Sequence, residues 1–426
     1  MNLLLASSPH RSPLPAERGG GKWGTDRIRP GLGRRRFHFL LGILLSVAGP
    51  ALAESFVPTD PDRVLEKLPL AATDSRMREL RELRRQLAAR PDDLELALRV
   101  ARRNLEIGRA EADPRHYGYA EAALAPWWNQ NPPPPEVLLL RAVLRQNRHD
   151  FDGALADLRE VLAVDPRNAR AWLTQAVIQQ VRGEPEAALR GCLALRRLTG
   201  PLPYHACLSG ALGRNGQAGF AYETLRRALE SSPGTDVAER LWATTVLAEL
   251  AEQRGDVRAA ESHFRAALDL GRRDVYLLGA YADFLLDRNR AAEARALLRN
   301  EQRADSLLLR LALAERRLDD SAWQGHAEVL EARFAAARQR GDTTHVAAEA
   351  RLRLDLRGQP REALELARRN WAQGQREPQD ARLLLEAALA AGRLDAAREV
   401  LDWIARVKLE DDRLAELSRR LRETAS

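Results

Sequence analysis

Phe151-Asp152-Gly153-Ala154-Leu155-Ala156-Asp157-Leu158, running on to Val164-Asp165-Pro166-Arg167-Asn168, is the stretch that decides the fold. Ala154 is small where a second helix axis must come close, Leu158 repeats the same face four residues on, and Pro166 stops the helix twelve residues after the alanine. The same marks recur along the chain. Alanines stand in this register at 120, 154, 188, 221, 260 and 294, at steps of 34, 34, 33, 39 and 34, and again at 363 and 397, a further step of 34. Gly183, Gly216, Gly255, Gly358 and Gly392 each precede their alanine by five positions, where one helix must end in the left-handed region before the next begins. Leu124, Leu158, Cys192, Leu225, Phe264, Leu298 and Leu401 follow four positions after theirs, with Ala367 a weaker member. Ala142, Ala176, Ser209, Ala248 and Ala282, twelve residues before, put a second small contact on the preceding helix. Two close-contact positions per period describe an antiparallel helix pair.

A helix–turn–helix unit of this length resembles the tetratricopeptide repeat family. The stretch from Phe151 closes on that family's D-P-x-N boundary, and Ala171-Trp172-Leu173 opens the next unit as such units often open. The resemblance covers residues 75–424 in eight or nine units. It implies an all-α, right-handed superhelical solenoid in which no unit buries its apolar face alone. Departures are expected at the insertion from Arg109 to His116, at residues 306–340, and at Arg351 and Leu385, which stand where small residues are expected. Those are places where the array would bend or break. Met77–Ala89 and Leu414–Leu421 read as charged end caps.

Outward from the array, residues 1–53 form a basic leader and 54–74 an extended, Pro-containing segment, either a tether or an arm that reaches a partner. The chain of 426 residues has a net charge of +7, and eight basic against two acidic residues in the leader account for nearly all of it. A near-neutral body releases few counterions from a phosphate backbone, so nucleic acid is not expected as a partner. Arg34-Arg35-Arg36, the apolar run Phe37–Val47 and Ala51-Leu52-Ala53 read as an export signal cleaved after Ala53. That places the mature chain in the periplasm. The alternative is a single-pass anchor, if the apolar run stays in the membrane.

No pattern for chemistry emerges. Mature His116, His149, His205, His263, His326 and His345 fall singly in different units without metal-ligand spacing, and no nucleophile or phosphate-loop motif occurs. Neither a metal, a cofactor, a small-molecule substrate nor enzyme activity is expected. Asp319-Asp320 and Asp411-Asp412 read as helix N-caps, and Arg254-Gly255-Asp256 as an inter-helix turn. Cys192 and Cys207 lie on helices that should pack together. They are either a disulfide closing a ~14-residue loop or two small buried apolar residues. Trp127 is expected in the helix interface rather than against a sugar.

In proteins this chain resembles, the first helices of successive units line a concave groove that takes partner segments. Carried over by register, that face holds Gln146, Arg170, Val177, Gln180, Arg214, Trp242, Thr245, Glu249, Glu252, Tyr276, Asp283 and Asp287. It would be basic toward Arg170 and Arg214 and acidic toward Glu249, Glu252, Asp283 and Asp287, with Trp242 and Tyr276 as anchors. The expected role is a non-enzymatic scaffold or adaptor for proteins of a bacterial envelope. The alternative is an accessory subunit of envelope polysaccharide assembly or secretion machinery.

Overall fold

The computed structural model describes residues 75–425, which contain α-helices, two 3₁₀ turns and no strand. Helix α1 (Ser75–Ala89) caps the start through Leu80 and Leu83. Nine helix pairs follow among the described residues: α2 (Leu94–Glu111) with α3 (Arg115–Trp128), α4 (Pro135–Asn147) with α5 (Phe151–Val164), α6 (Ala169–Val181) with α7 (Pro185–Ala194), α8 (Pro201–Gly213) with α9 (Ala218–Glu230), α10 (Val237–Gln253) with α11 (Val257–Leu268), α12 (Val275–Asp287) with α13 (Ala291–Leu298), α14 (Asp305–Arg317) with α15 (Ala322–Gln339), α16 (Val346–Asp355) with α17 (Pro360–Ala372), and α18 (Pro378–Ala390) with α19 (Arg398–Val407). Helix α20 (Asp412–Ala425) closes the array. Each pair packs on the next, so the described residues form a tetratricopeptide-like array of helix pairs.

The alanine row explains the packing. Ala120, Ala154, Ala188, Ala221, Ala260, Ala294, Ala363 and Ala397 are all at most 1% exposed, so helix axes meet at each of them. Asp150, Asn168, Asp256 and Asp274 cap the helices that follow them with a side-chain oxygen on a backbone N–H. Gly183 ends its unit's first helix at φ +67°, and where His149 and Asn289 replace the turn glycine they adopt φ +62° and +57°. The turn geometry is kept without glycine, at a strain cost the packing on either side offsets.

Three expectations change in detail. Residues 306–340 do not break the array: Ala327 takes the alanine place with 0% exposure, backed by Leu330 and Phe334, while Glu315, not a small residue, faces it and accepts from His326 Nδ1 at 2.7 Å. Arg351 stays in register because its guanidinium pairs with Glu386 and, at 3.1 Å, with Asp355. In the last pair Val400, at 0% exposure, is in the core and Leu401 only half-buried, because the 3₁₀ turn Leu394–Ala397 advances the helix phase before α19.

Cys192 on α7 and Cys207 on α8 are joined in a disulfide, Cα atoms 5.5 Å apart, with both residues fully buried. In the chain-entropy model a loop of this size contributes about 3 kcal/mol. Urea melts with and without reductant should therefore differ by about that amount, and coincident curves would show that the link does not constrain the unfolded chain. Trp127 is buried at 8% exposure; Trp128 is half-buried beneath Arg141, whose guanidinium lies 5.7 Å from the ring centroid.

Candidate partner-binding face and the C-terminal seam

The first helices present the residues assigned to the inner face in two classes. Gln146, Val177, Gln180, Trp242, Thr245 and Glu252 are buried; Arg170, Arg214, Glu249, Tyr276, Asp283 and Asp287 are half-buried. Trp242, expected as an anchor reachable by a partner, is only 3% exposed and belongs to the largest apolar cluster, with Leu241, Val246 and Phe264. A wide aromatic ring one turn before the polar rows Thr245, Glu249 and Glu252 turns toward the helix behind it because burial there removes more apolar surface from water. Tyr276 remains at the face and donates its hydroxyl to Glu249. Burial pushes the Glu249 carboxyl up and the Tyr276 hydroxyl well up, so both hold their protons more firmly than in water.

Most of the charges meet partners within the chain. Asp283 accepts two bonds from Arg310, at 2.8 and 2.6 Å. Arg214, Asp287 and Glu252 reach the C-terminal helices. Arg214 donates to Gln180 Oε1 at 3.0 Å and to Glu377 Oε1 at 3.1 Å. Asp287 takes a two-point grip from Arg382, at 2.5 and 2.7 Å, and Glu252 lies 3.2 Å from both Arg288 and Arg413. Burial raises Asp287, but the bonds from Arg382 and the charges of Arg382, Arg413 and Arg288 outweigh it and hold the carboxyl below its ordinary range. Glu252 is the reverse case: burial pushes it up to about 7 against the pull of Arg413 and Arg288.

The seam runs on along the turns of three successive units. Trp403 Nε1 points to the Gly183 carbonyl at 3.4 Å, and a Cβ on Gly183 would lie 2.6 Å from that nitrogen. A Cβ on Gly216 would lie 2.7 Å from the Lys408 carbonyl, and one on Gly255 would collide with the Asp412 carboxylate. Glu410 accepts from the N–H of Ala218 at 3.1 Å, capping α9, which lacks a side-chain cap of its own. The turn glycines therefore serve a second purpose beyond their positive φ: they let the C-terminal segment pass at contact distance. The main apolar packing stays on either side, because the buried residues of α6–α13 and those of α16–α20 form separate clusters, and the seam between them is made of ion pairs, main-chain hydrogen bonds and close passage over turn glycines.

Glu377, Arg382, Glu410 and Arg413, which meet the candidate face and the start of α9, are missed by register. They lie 95 to 192 residues from most of their partners, and no local period carries that pairing. At the other end of the array Arg102, Arg109 and Arg170 line a cleft with Leu105, Leu139, Leu140, Glu106 and Glu136. Burial and the like charge of Arg102 lower the Arg170 pKa, while Glu106 offsets part of this.

His116 bonds Asn104 at 2.9 Å and His263 bonds Tyr222 at 3.0 Å, and no group of three or more metal-ligating side chains comes together among the described residues. Asp320 and Asp411 accept from the first N–H groups of α15 and α20. No described helix is long and apolar enough to cross a membrane. The leader, its cleavage after Ala53 and the tether at 54–74 lie outside the described residues.

No family model matches the chain. It is 26% identical over 289 residues to cellulose synthase operon protein C of Pseudomonas fluorescens, a match covering 65% of this chain and 20% of that protein, so the chain spans about a fifth of the length of this relative. Among solved structures it is similar to PilF of Pseudomonas aeruginosa (19% identity, TM-score 0.36, 47% of this chain and 92% of that one). It is also similar to a tetratricopeptide repeat protein of Parabacteroides merdae (14%, TM-score 0.36, 73% and 98%) and to Rap protein complexed with competence and sporulation factor (14%, TM-score 0.43, 82% and 93%). With TM-scores below 0.5, none of these bears on how the units are arranged.

Proposed function

We propose that this chain is a non-enzymatic scaffold of the bacterial cell envelope that holds partner protein segments along the inner face of its helix pairs. The observation that supports this reading is the inner face of the first helices, where half-buried polar side chains recur on helices whose opposite faces are committed to the core: Arg214, Glu249, Tyr276, Asp283 and Asp287 are bonded within the chain, and Arg170 lines a cleft with Arg102 and Glu106. Polar side chains set out along a rigid apolar frame suit an extended chain, because successive helix pairs present charged and hydrogen-bonding groups along one direction. The sequence motif at Arg34–Ala53 supports export and release into the periplasm.

A second reading, an accessory subunit of envelope polysaccharide assembly, is favoured by the 289-residue likeness to cellulose synthase operon protein C. One experiment tests both. A photo-crosslinking residue at Arg170 in the full chain, expressed in its own host, should yield a protein adduct in the periplasmic fraction on a chain beginning at Glu54. The same probe at Phe220, which is 63% exposed on α9, should yield none. Equal adducts from both positions, or none from Arg170, would remove the inner-face assignment. An adduct with a component of polysaccharide synthesis would select the second reading.

A further inference from the structure

Several buried polar atoms without a hydrogen-bond partner among the described residues lie along or beside one stretch of the seam. They include Gln146 Oε1, Gln180 Nε2, Arg214 Nε, Gln373 Oε1 and Gln375 Nε2. Gln146, Gln180 and Arg214 recur at intervals of 34 residues, at the last turn or C-cap of α4, α6 and α8. Gln180 is 1% exposed and Gln146 and Gln375 are 7% exposed, so none of these groups is simply left to solvent. An orphaned buried polar group is costly, and a recurring row of them marks a surface shaped for hydrogen bonds that the fold itself does not fill.

Gln375-Arg376-Glu377, the connection between α17 and α18, already lies against that row. The Arg376 N–H donates to the carbonyl of Val181 at 2.8 Å. Val181 is the last residue of α6, so this carbonyl is one of the helix-end acceptors that no intrahelical donor reaches. Glu377 supplies the carboxylate on Arg214, and Gly183 leaves the space: a Cβ there would come within 2.6 Å of Arg376 Cβ. The segment thus makes one main-chain hydrogen bond and one charge-assisted bond to the row. It leaves the amides of Gln180 and Gln375 partly unused.

We propose that Gln375–Glu377 is an internal ligand, occupying the place where the row built from Gln146, Gln180 and Arg214 takes an extended peptide bearing a carboxylate. The partner displaces the segment, and this stretch of the inner face is closed until it does. This rests on the inner-face reading above and narrows it to one place and one ligand chemistry. A peptide is favoured because the contact already present is a main-chain N–H to a helix-end carbonyl, which a peptide backbone reproduces at any residue except proline.

The test uses the full chain and a labelled peptide with the sequence of residues 372–378, Ala-Gln-Gly-Gln-Arg-Glu-Pro. Glu377→Gln keeps a side-chain acceptor at the start of α18 and removes the charge on Arg214; Arg376→Pro removes the N–H. Each should speed hydrogen exchange at the seam, leave helicity unchanged and raise peptide affinity at least tenfold over the unsubstituted chain. Adding Arg214→Ala, or replacing the peptide's glutamate by glutamine, should take that gain away. Three results overturn the proposal: exchange as slow as in the unsubstituted chain for both variants, released chains that bind the peptide no tighter, or binding indifferent to Arg214 and to the peptide's carboxylate. Crosslinking from Arg170 that persists in any of these cases leaves the scaffold reading standing without this site.

Discussion

Trp242→Ala lowers the unfolding free energy by about 3–5 kcal/mol, because it removes the indole from a packed interior and leaves a cavity between helix pairs. Trp242 is 3% exposed and shares its cluster with Leu241, Val246, Leu247 and Phe264. Its Nε1 has no hydrogen-bond partner among the described residues, so no hydrogen bond is lost with the ring and the whole cost is packing. Trp242→Phe separates the two contributions: it keeps most of the volume, deletes an orphaned N–H, and should cost less than about 1.5 kcal/mol. Urea unfolding of the three proteins measures both numbers. A loss below about 1 kcal/mol for the alanine variant would place the ring at a surface instead of in the core.

Asp380→Asn makes stability less dependent on pH, with the difference opening between pH 4 and 7. Asp380 sits at the start of α18, where its carboxylate accepts from Asn370 Nδ2 at 2.9 Å and from the Glu377 N–H at 3.1 Å. Burial first, and then the charge of Glu377, push the carboxyl up to about 7; the bonds from Glu377 and Asn370 and the charge of Arg376 pull the other way. The folded chain then holds a proton that the unfolded chain releases near its ordinary value of 3.8. This contribution is fully present below the unfolded pKa and is lost as the pH climbs through 7. Relative to the asparagine variant, the unsubstituted chain should therefore lose stability as pH rises from 4 to 7, by about 4 kcal/mol at most. The substituted amide is neutral throughout, and Asn370 can turn its own amide to meet it. Parallel curves for the two proteins over that window would mean that Asp380 ionises with its neighbours as an ordinary carboxylate.

The link between these results is the seam. Asp380 lies one turn from Glu377, and Arg382, on the same helix, grips Asp287. A change that reaches the start of α18 therefore acts on the inner face of α8 and α12 as well, although α18 follows them by roughly a hundred residues or more.

The alanine and glycine spacing made the helix pairs legible, since a small residue where two axes cross and a left-handed turn five residues before it are local requirements with few substitutes. Where a substitute exists the pattern fades: Ala327 keeps the place but Glu315 answers it with a hydrogen bond to His326 and Arg351 with an ion pair to Glu386, and His149 and Asn289 take up the glycine conformation. Burial along the first helices was less legible. Trp242, Thr245, Glu249 and Glu252 follow one another at helical spacing, and periodicity alone does not say that the indole turns inward while the carboxylates stay within reach of cations.

From the sequence alone came the unit, its length, its turns and the alanine row where helix axes meet, because these depend on neighbours no more than one unit away. Tertiary structure alone decided what the inner face touches. Small rotations from pair to pair accumulate until Glu377, Arg382 and Arg413 arrive at Arg214, Asp287 and Glu252, and a sum over several packing angles is written in no single stretch of residues.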